Sequence, residues 1–186
     1  MSRASHQVLR VWGELACFSR PELKVERFSY PLITPSAARG IFDAIYCKPA
    51  EFRWQVIKIE LLKEPSYIAL RRNEVKEKVN VNAVEDWMAA KRDPIPIFAD
   101  GDRDLLGTDE KGRTQRQTMA LKDVEYRLHA KAIPWPGFED HLPGFEAQFR
   151  RRAQNGKCVY QPYFGCREFP AYFELVDPVA APSPVD

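Results

Sequence analysis

A tyrosine with basic neighbours directly follows a short amphipathic segment. The stretch ITPSAARGIFDAIYCKP, residues 33–49, begins with Thr34 as a helix N-cap, and Tyr46 comes at its end between Arg39 and Lys48. A tyrosine hydroxyl has an ordinary pKa of about 10, so roughly 0.1% is ionised at pH 7. It acts as a base only if cations lower that pKa, or it acts by orienting another group. The alternative is a rim tyrosine, half buried with its hydroxyl in water.

Two histidines and several cations are further candidates for chemistry. His129 lies on the polar side of an alternating segment, and His141 lies in a predicted loop. Histidine suits proton transfer near neutral pH, but a half-exposed structural histidine explains either position equally well. His6 is terminal and is not expected to take part. Cations that the fold could bring to Tyr46 include Lys122, Arg150, Arg151 and Lys157.

Several function classes lack their usual signatures. The four cysteines form no CxxC pair, so we expect reduced thiols and no structural metal or other cofactor. GxGxxG, P-loop, GxSxG and HExxH motifs are missing from the sequence. No run of 18 apolar residues occurs, and the N-terminus lacks the apolar core of a signal peptide, so we expect a cytoplasmic protein without membrane contact.

Charge is unevenly distributed along the chain, although the net charge is only +2. Residues 85–110 hold eight acidic and three basic residues, whereas residues 111–131 hold six Lys or Arg and two acids. Residues 145–167 add five Lys or Arg against one acid. Such a chain can present a positive face to a polyanion, and solvated surface charge is the alternative.

Hydrophobic periodicity predicts the elements that must position these groups. The first, second, third and last strands of a sheet are expected at 7–18, 51–64, 66–75 and 118–133. The second strand changes phase after Val56, which predicts a β-bulge. Helices are expected at 35–46, at 82–92 with Asn82 as a possible cap, and at 144–156, ended by Gly156. The segment 93–115 reads as a long loop, and 157–176 as two short strands around Pro162 and Gly165.

The order strand, helix, strand, strand, helix, strand predicts an α+β fold of the ferredoxin-like or RRM-like kind. We expect this N-terminal domain to span residues 1–133. A small β-rich C-terminal region with one helix follows at 134–176, and a Pro-rich, disordered tail at 177–186.

Four stretches resemble a known family. YPLITPSAARGIFDAIYCKP, ALRRNEV, RTQRQTMALKDVEYRLHA and PYFGCREFPAYF are similar to motifs of the CRISPR-associated Cas-five family, in its subtype I-C (Dvulg) form. They are spread over about residues 29 to 173, so the resemblance extends over most of the chain. The resemblance implies an RRM-like N-terminal domain and a small β-rich C-terminal region. It also makes the chain short, because further C-terminal β structure would be expected after GCREFPAYFELV.

The resemblance implies a metal-independent endoribonuclease that cleaves CRISPR repeat RNA to mature guide RNA. Its products carry a 5′-hydroxyl and a 2′,3′-cyclic phosphate, and the enzyme remains bound to the 5′ handle in the subtype I-C interference complex (Cascade). The implied partners are therefore repeat RNA and the backbone and large subunits of that complex, with DNA as a further candidate. A non-catalytic 5′-handle-binding subunit of the same complex is the alternative. A generic RRM-like nucleic-acid binder fits the RRNEV and GCREF motifs less well.

The family's catalytic tyrosine matches Tyr46. Some members carry a Lys-His pair before the C-terminal helix, where this chain reads EDHLPGFEAQ, with His141 as the nearest histidine and Gly144-Phe145 at the aligned positions. The catalytic candidates are Tyr46, His141, His129 and Lys122. The candidates for RNA binding are Arg39, Lys48, Arg71, Arg72, Arg116, Arg150, Arg151, Lys157 and Arg167.

Overall fold

In the residues that the structure describes, a six-stranded sheet and three α-helices make a mixed α/β structure. The computed structural model describes residues 6–23, 25–97, 107 and 111–176. The strands are β1 (Gln7–Ala16), β2 (Arg27–Phe28), β3 (Phe52–Lys63), β4 (Ser66–Val75), β5 (Arg113–Pro134) and β6 (Tyr172–Val176). The helices are α1 (Pro35–Ile45), α2 (Val81–Met88) and α3 (Leu142–Gln154), and a short 3₁₀ helix, Glu139–His141, precedes α3.

The chain forms two compact units. The first comprises residues 1–69 and 119–186, and the second comprises residues 70–118. Most of the predicted loop at 93–115 lies outside the described residues, and the predicted tail at 177–186 lies wholly outside them.

Strand pairing departs from a simple hairpin plan. The sheet order is β2-β5-β1-β6, and β3 and β4 both pair with β5. The predicted elements of the N-terminal domain occur in the predicted order, but the two-residue strand β2 lies between β1 and α1, where a loop was expected. In a ferredoxin-like sheet the consecutive strands β3 and β4 would pair with each other, and that pairing is not confirmed. The long β5 explains this, because its 22 residues provide hydrogen-bonding partners for both strands. The predicted bulge in β3 is confirmed by a register shift between Val56 and Lys58.

Three details of the prediction are corrected. The side chain that caps α2 is Asn80, whose Oδ1 accepts a hydrogen bond from the Asn82 amide at 2.9 Å. Helix α3 begins at Leu142 rather than at residue 144. The first of the two strands predicted in 157–176 is replaced by a turn region. There the Phe164 amide donates to the Phe169 carbonyl, and Gly165 between them has φ +81°. A Cβ on Gly165 would lie 2.0 Å from the Cys17 carbonyl oxygen, so this turn at the end of β1 requires glycine.

The core of the first unit lies between the sheet and the helices α1 and α3. The apolar face of α1 predicted from its spacing, Ala38, Ile41, Phe42 and Ile45, is fully buried. It meets Phe149 of α3, whose ring stacks on Phe42 at 5.5 Å. Strand β6 of the predicted C-terminal region pairs with β1, so α3 and β6 share this sheet and core.

The opposite face of β5 carries the polar side chains predicted by its alternation. There Glu60 of β3 accepts hydrogen bonds from Arg127 at 3.0 Å and His129 at 3.2 Å, and it also pairs with Lys58. Burial raises the pKa of this carboxyl, but the hydrogen bonds from Lys58 and His129 outweigh burial and lower the pKa to about 2. Glu60 is therefore charged in the folded protein at every pH above that value.

We expect Glu60→Gln to lower the free energy of unfolding by about 1–2 kcal/mol at neutral pH. The folded pKa lies below the unfolded value of about 4.3, so this stability is present above the unfolded pKa and is lost as pH falls to about 2. Urea unfolding of the wild type and the variant between about pH 7 and pH 3 should show their stabilities converging. Glu174→Gln, which removes an exposed partner of Arg10, is the matched control and should change stability by less than about 0.5 kcal/mol. A pH-independent difference for Glu60→Gln would contradict the assignment.

Candidate active site

Tyr46 is held at the end of α1 by its backbone. Its amide donates to the Phe42 carbonyl at 3.0 Å, and its own carbonyl accepts a hydrogen bond from the Trp54 indole at 2.8 Å. Thr34 caps the other end of the helix as predicted, because its Oγ1 accepts from the Ala37 amide at 3.2 Å. The tyrosine side chain is thereby presented from a rigid element rather than from a loop.

A chain of aromatic contacts connects Tyr46 to His141. The ring centroids of Tyr46 and Phe52 are 5.6 Å apart, and Phe52 stacks on Phe145 with a centroid distance of 4.7 Å. The Phe145 ring in turn contacts the His141 ring edge-on, with a centroid distance of 6.0 Å. Phe138 contacts the His141 ring as well, at 5.7 Å. Such offset and edge-on contacts restrict ring orientation in addition to burying area. The end of α1 and the start of α3 are thus held against one another at this point.

Tyr46 and His141 line one open cavity of about 530 Å³. The other lining residues are Lys48, Glu51, Asp140, Gly144, Phe145 and Gln148. This volume is within the usual range for small-ligand sites and is sufficient for a nucleotide. Gly144 and Phe145, which the sequence interpretation aligned with the family's Lys-His pair, also line this cavity.

The electrostatics of the cavity favour a protonated tyrosine. Burial raises the pKa of the Tyr46 hydroxyl, and the positive charges of Lys48 and Arg152 oppose that effect without overcoming it. Lys48 donates to both carboxylate oxygens of Glu51, at 2.9 and 3.1 Å, and this bond raises the pKa of the lysine. Of the two roles that the sequence left open, orienting another group by hydrogen bonding is the one this environment supports.

Arg152 is a site residue that the sequence interpretation missed. Its Nε donates to the Ile45 carbonyl at 2.6 Å, so it holds the last helical residue before Tyr46. A signal existed in the sequence. Arg152 follows Phe145 by seven positions and Phe149 by three, which places it on the inward face of α3.

A second, basic pocket of about 260 Å³ adjoins the end of α3. Arg151, Arg152 and Lys157 provide its charge, and Gln148 and Asn155 complete its lining. Gln148 also lines the Tyr46 cavity, so the two concavities are neighbours. Two of the predicted phosphate-binding residues, Arg151 and Lys157, are therefore brought together beside Tyr46.

Other predicted residues do not line the Tyr46 cavity. His129 pairs with Glu60 on the face of β5 opposite to the core, and Lys122 is exposed on the same strand. Arg39 forms an ion pair with Asp43 on the surface of α1, with 3.6 Å between Arg39 Nε and Asp43 Oδ2. Arg150 is exposed on α3, and Arg167 is exposed in the turn region before β6.

Three predicted cations fall in or at the edge of the second unit, in β4 and β5. Arg72 donates to the Thr118 hydroxyl at 3.2 Å, and Arg116 pairs with Glu74 at 3.3 Å. Arg71, which precedes Arg72 in β4, is exposed. Arg72 and Arg116 thus already interact with protein groups of their own unit.

The described part of the chain holds neither a metal-ligand cluster nor a membrane span. Within residues 6–23, 25–97, 107 and 111–176, no group of three His, Cys, Asp or Glu side chains is placed to hold a metal ion. In the same ranges, no helix is both long enough and apolar enough to cross a bilayer.

Comparison with solved structures shows that other proteins share this fold. A crystal structure of a CRISPR-associated protein matches with a TM-score of 0.60 and 21% identity, covering 95% of this chain and 69% of that one. The protein SMU1763c of Streptococcus mutans matches with a TM-score of 0.57 and 19% identity, covering 96% of this chain and 70% of that one. A chain of a CRISPR RNA-guided surveillance complex matches with a TM-score of 0.51 and 15% identity, covering 94% and 61%.

Sequence comparison is more specific. Residues 8–185 match the family model Cas_Cas5d, described as CRISPR-associated protein (Cas_Cas5), and the chain belongs to this family. It is 45% identical over 169 residues to the CRISPR pre-crRNA endoribonuclease Cas5d of Thermus thermophilus. It is 43% identical over 171 residues to the enzyme of the same name from Mannheimia succiniciproducens. The matches cover 91% of this chain but only 63% and 72% of those relatives.

Proposed function

We propose that this protein is a metal-independent endoribonuclease that cleaves CRISPR repeat RNA. The observation that carries the proposal is the open cavity in which Tyr46 and His141 face the same space. The names of the two relatives, both pre-crRNA endoribonucleases, support the same activity. Tyr46, which the resemblance matches to the family's tyrosine, and His141, the nearest histidine to the EDHLPGFEAQ stretch, are both among the residues that line the cavity.

The proposed reaction is an in-line attack of a ribose 2′-hydroxyl on its own 3′ phosphate. His141 takes the proton of the 2′-hydroxyl, and the Tyr46 hydroxyl donates a hydrogen bond that orients the reacting group. The bond from phosphorus to the 5′ oxygen breaks, and that oxygen takes a proton from solvent in the open cavity. The products are a 2′,3′-cyclic phosphate and a 5′-hydroxyl, with no redox change.

The charge that develops on the phosphate requires cations. Lys48 is the cation in the Tyr46 cavity, and its bond to Glu51 fixes its position there. Contacts to other phosphates of the RNA are proposed for the exposed predicted cations, which are Arg71, Arg150, Arg151, Lys157 and Arg167. Positively charged side chains at these positions would bind the RNA backbone without reading its sequence.

We further propose that the protein stays on the RNA as the subunit that holds the 5′ handle in a subtype I-C Cascade complex. The fold it shares with a chain of a surveillance complex supports this placement. The alternative, a handle-binding subunit without catalysis, is favoured by the missing Lys-His pair in EDHLPGFEAQ. Binding of duplex DNA is a separate possibility within the same assembly.

Incubation of repeat RNA with excess protein in EDTA separates these two functions. Specific cleavage with the product ends given above is expected, and added Mg²⁺ should leave the rate unchanged within about twofold. RNA of scrambled sequence is the control for contaminating nuclease. Intact repeat RNA that is nevertheless bound would refute the enzyme and favour the non-catalytic subunit.

A further inference from the structure

Among the residues that the structure describes, the cations of the basic pocket at the end of α3 have no carboxylate partner. In the part of the chain that the structure describes, the side-chain partners of its arginines are neutral: Arg151 donates to Gln148 Oε1 at 2.7 Å, and Arg152 donates to the Ile45 carbonyl. No acidic residue among those described lines the pocket. Three cations within one small concavity repel each other, so an anion there would relieve that repulsion.

The Tyr46 cavity differs in this respect. It contains Lys48 but also the carboxyl groups of Glu51 and Asp140. Its cation is bonded to one of those carboxylates, and the predicted cation Arg39 is likewise paired with Asp43. Among the described residues that line the two concavities, the cations without a bond to a carboxylate are therefore those of the basic pocket, and an RNA strand in the Tyr46 cavity would lie beside them.

Capping of the helix does not account for these cations. Basic side chains often occupy the last turn of a helix because they bond its free carbonyls. In α3 those carbonyls have other partners: Asn155 Nδ2 donates to the Arg151 carbonyl at 2.7 Å, and the Lys157 amide donates to the Arg152 carbonyl at 2.9 Å. The Arg151 and Lys157 side chains are exposed, so their remaining donors are available to a ligand.

We propose that this basic pocket binds a phosphodiester group of the RNA next to the one that is cleaved at Tyr46. Gln148 lines both concavities, and Arg152 bonds the residue directly before Tyr46, so one strand can occupy both sites at once. Guanidinium groups suit phosphate because they donate several hydrogen bonds in a planar fork. The proposal rests on the proposed function for the identity of the RNA, and it goes further by assigning one phosphate to three named side chains.

The test combines a protein variant with RNA that lacks one charge at a time. Arg151→Gln with Lys157→Gln removes two cations of the pocket and leaves Arg152 in place, because Arg152 bonds to α1. The RNA is tested as a set of repeat RNAs, each of which carries one neutral methylphosphonate at a different linkage. A 2′-O-methyl group at the attacking nucleotide, mapped from the wild-type products, blocks cleavage so that dissociation constants can be measured.

One linkage beside the cut is expected to couple to the pocket. There the methylphosphonate should weaken wild-type binding about tenfold, and the double variant should bind unmodified RNA about tenfold more weakly. The same methylphosphonate should weaken the double variant by less than about twofold further. Arg150→Gln removes an exposed cation of α3 that does not line the pocket, and it should keep the full sensitivity at that linkage.

The outcomes separate this proposal from the proposed function. Equal methylphosphonate effects in the wild type and double variant at every linkage would overturn the phosphate site, as would coupling confined to linkages far from the cut. If wild-type protein does not cleave, the enzymatic function fails and unmodified repeat RNA serves as the ligand. Loss of sensitivity at one linkage in the double variant then supports the phosphate site, and its absence refutes it. Thermal melting of each variant checks that the fold is retained.

Discussion

Replacement of Tyr46 by Phe is expected to lower repeat-RNA cleavage by about 100- to 10,000-fold while RNA binding changes less than about threefold. Phe retains the ring and its contact with Phe52, so the aromatic chain to His141 is preserved. Only the hydroxyl is removed. Because this group acts in the transition state, its removal lowers the cleavage rate rather than the ground-state affinity for RNA. Single-turnover cleavage with saturating protein in EDTA measures the effect, and Tyr172→Phe, which removes the hydroxyl of an exposed tyrosine on β6, is the matched control. Undiminished cleavage by Tyr46→Phe would exclude the hydroxyl from the mechanism and make Tyr46 a rim tyrosine.

The pH dependence of the same pair of proteins identifies the form of the tyrosine. Burial raises the pKa of Tyr46 above its ordinary value of about 10, so the hydroxyl stays protonated from about pH 6 to pH 9. The ratio of wild-type to Tyr46→Phe rates should therefore be constant over that range. A ratio that rises about tenfold per pH unit would mean instead that the small ionised fraction is the active form.

Replacement of His141 by Ala should likewise lower single-turnover cleavage by about 100- to 10,000-fold, as expected for loss of a general base. The cavity is open to solvent and the substitution leaves space for a free imidazole ring beside Phe138 and Phe145. Added imidazole should therefore restore part of the activity in proportion to its concentration. Loss of a merely structural histidine would not be rescued in this way. Melting temperatures of the variant with and without imidazole check that imidazole restores catalysis rather than stability.

His129→Ala decides between the two histidines that the sequence offered. His129 bonds to Glu60 on the face of β5 opposite to the core and does not line the Tyr46 cavity. We expect this variant to lose some stability and to cleave RNA within about threefold of the wild-type rate. A large loss in His129→Ala together with normal cleavage by His141→Ala would reverse the assignment of the base.

The sequence by itself determined most of the local elements, and for α1 and β5 it also determined which face is buried. Thr34 and the apolar spacing of α1 act within one or two helical turns, so they predict the helix and its inward side without reference to the rest of the chain. Alternation along β5 likewise placed Tyr126 on the buried side and His129 on the polar side. The four motifs indicated the family, because a chance match of all four in this order is improbable, and the family model over residues 8–185 confirms it.

Only the tertiary structure decided which elements are neighbours. Periodicity specifies a face but not its partner, so it could not show that β3 and β4 both pair with the long β5. It also could not choose between His129 and His141, because the contacts through Phe52 and Phe145 that bring His141 to Tyr46 join distant parts of the chain. The bond from Arg152 to the end of α1 arises from the same packing of α3 against α1. Long-range side-chain packing, which has no short sequence signature, therefore assembled the candidate site.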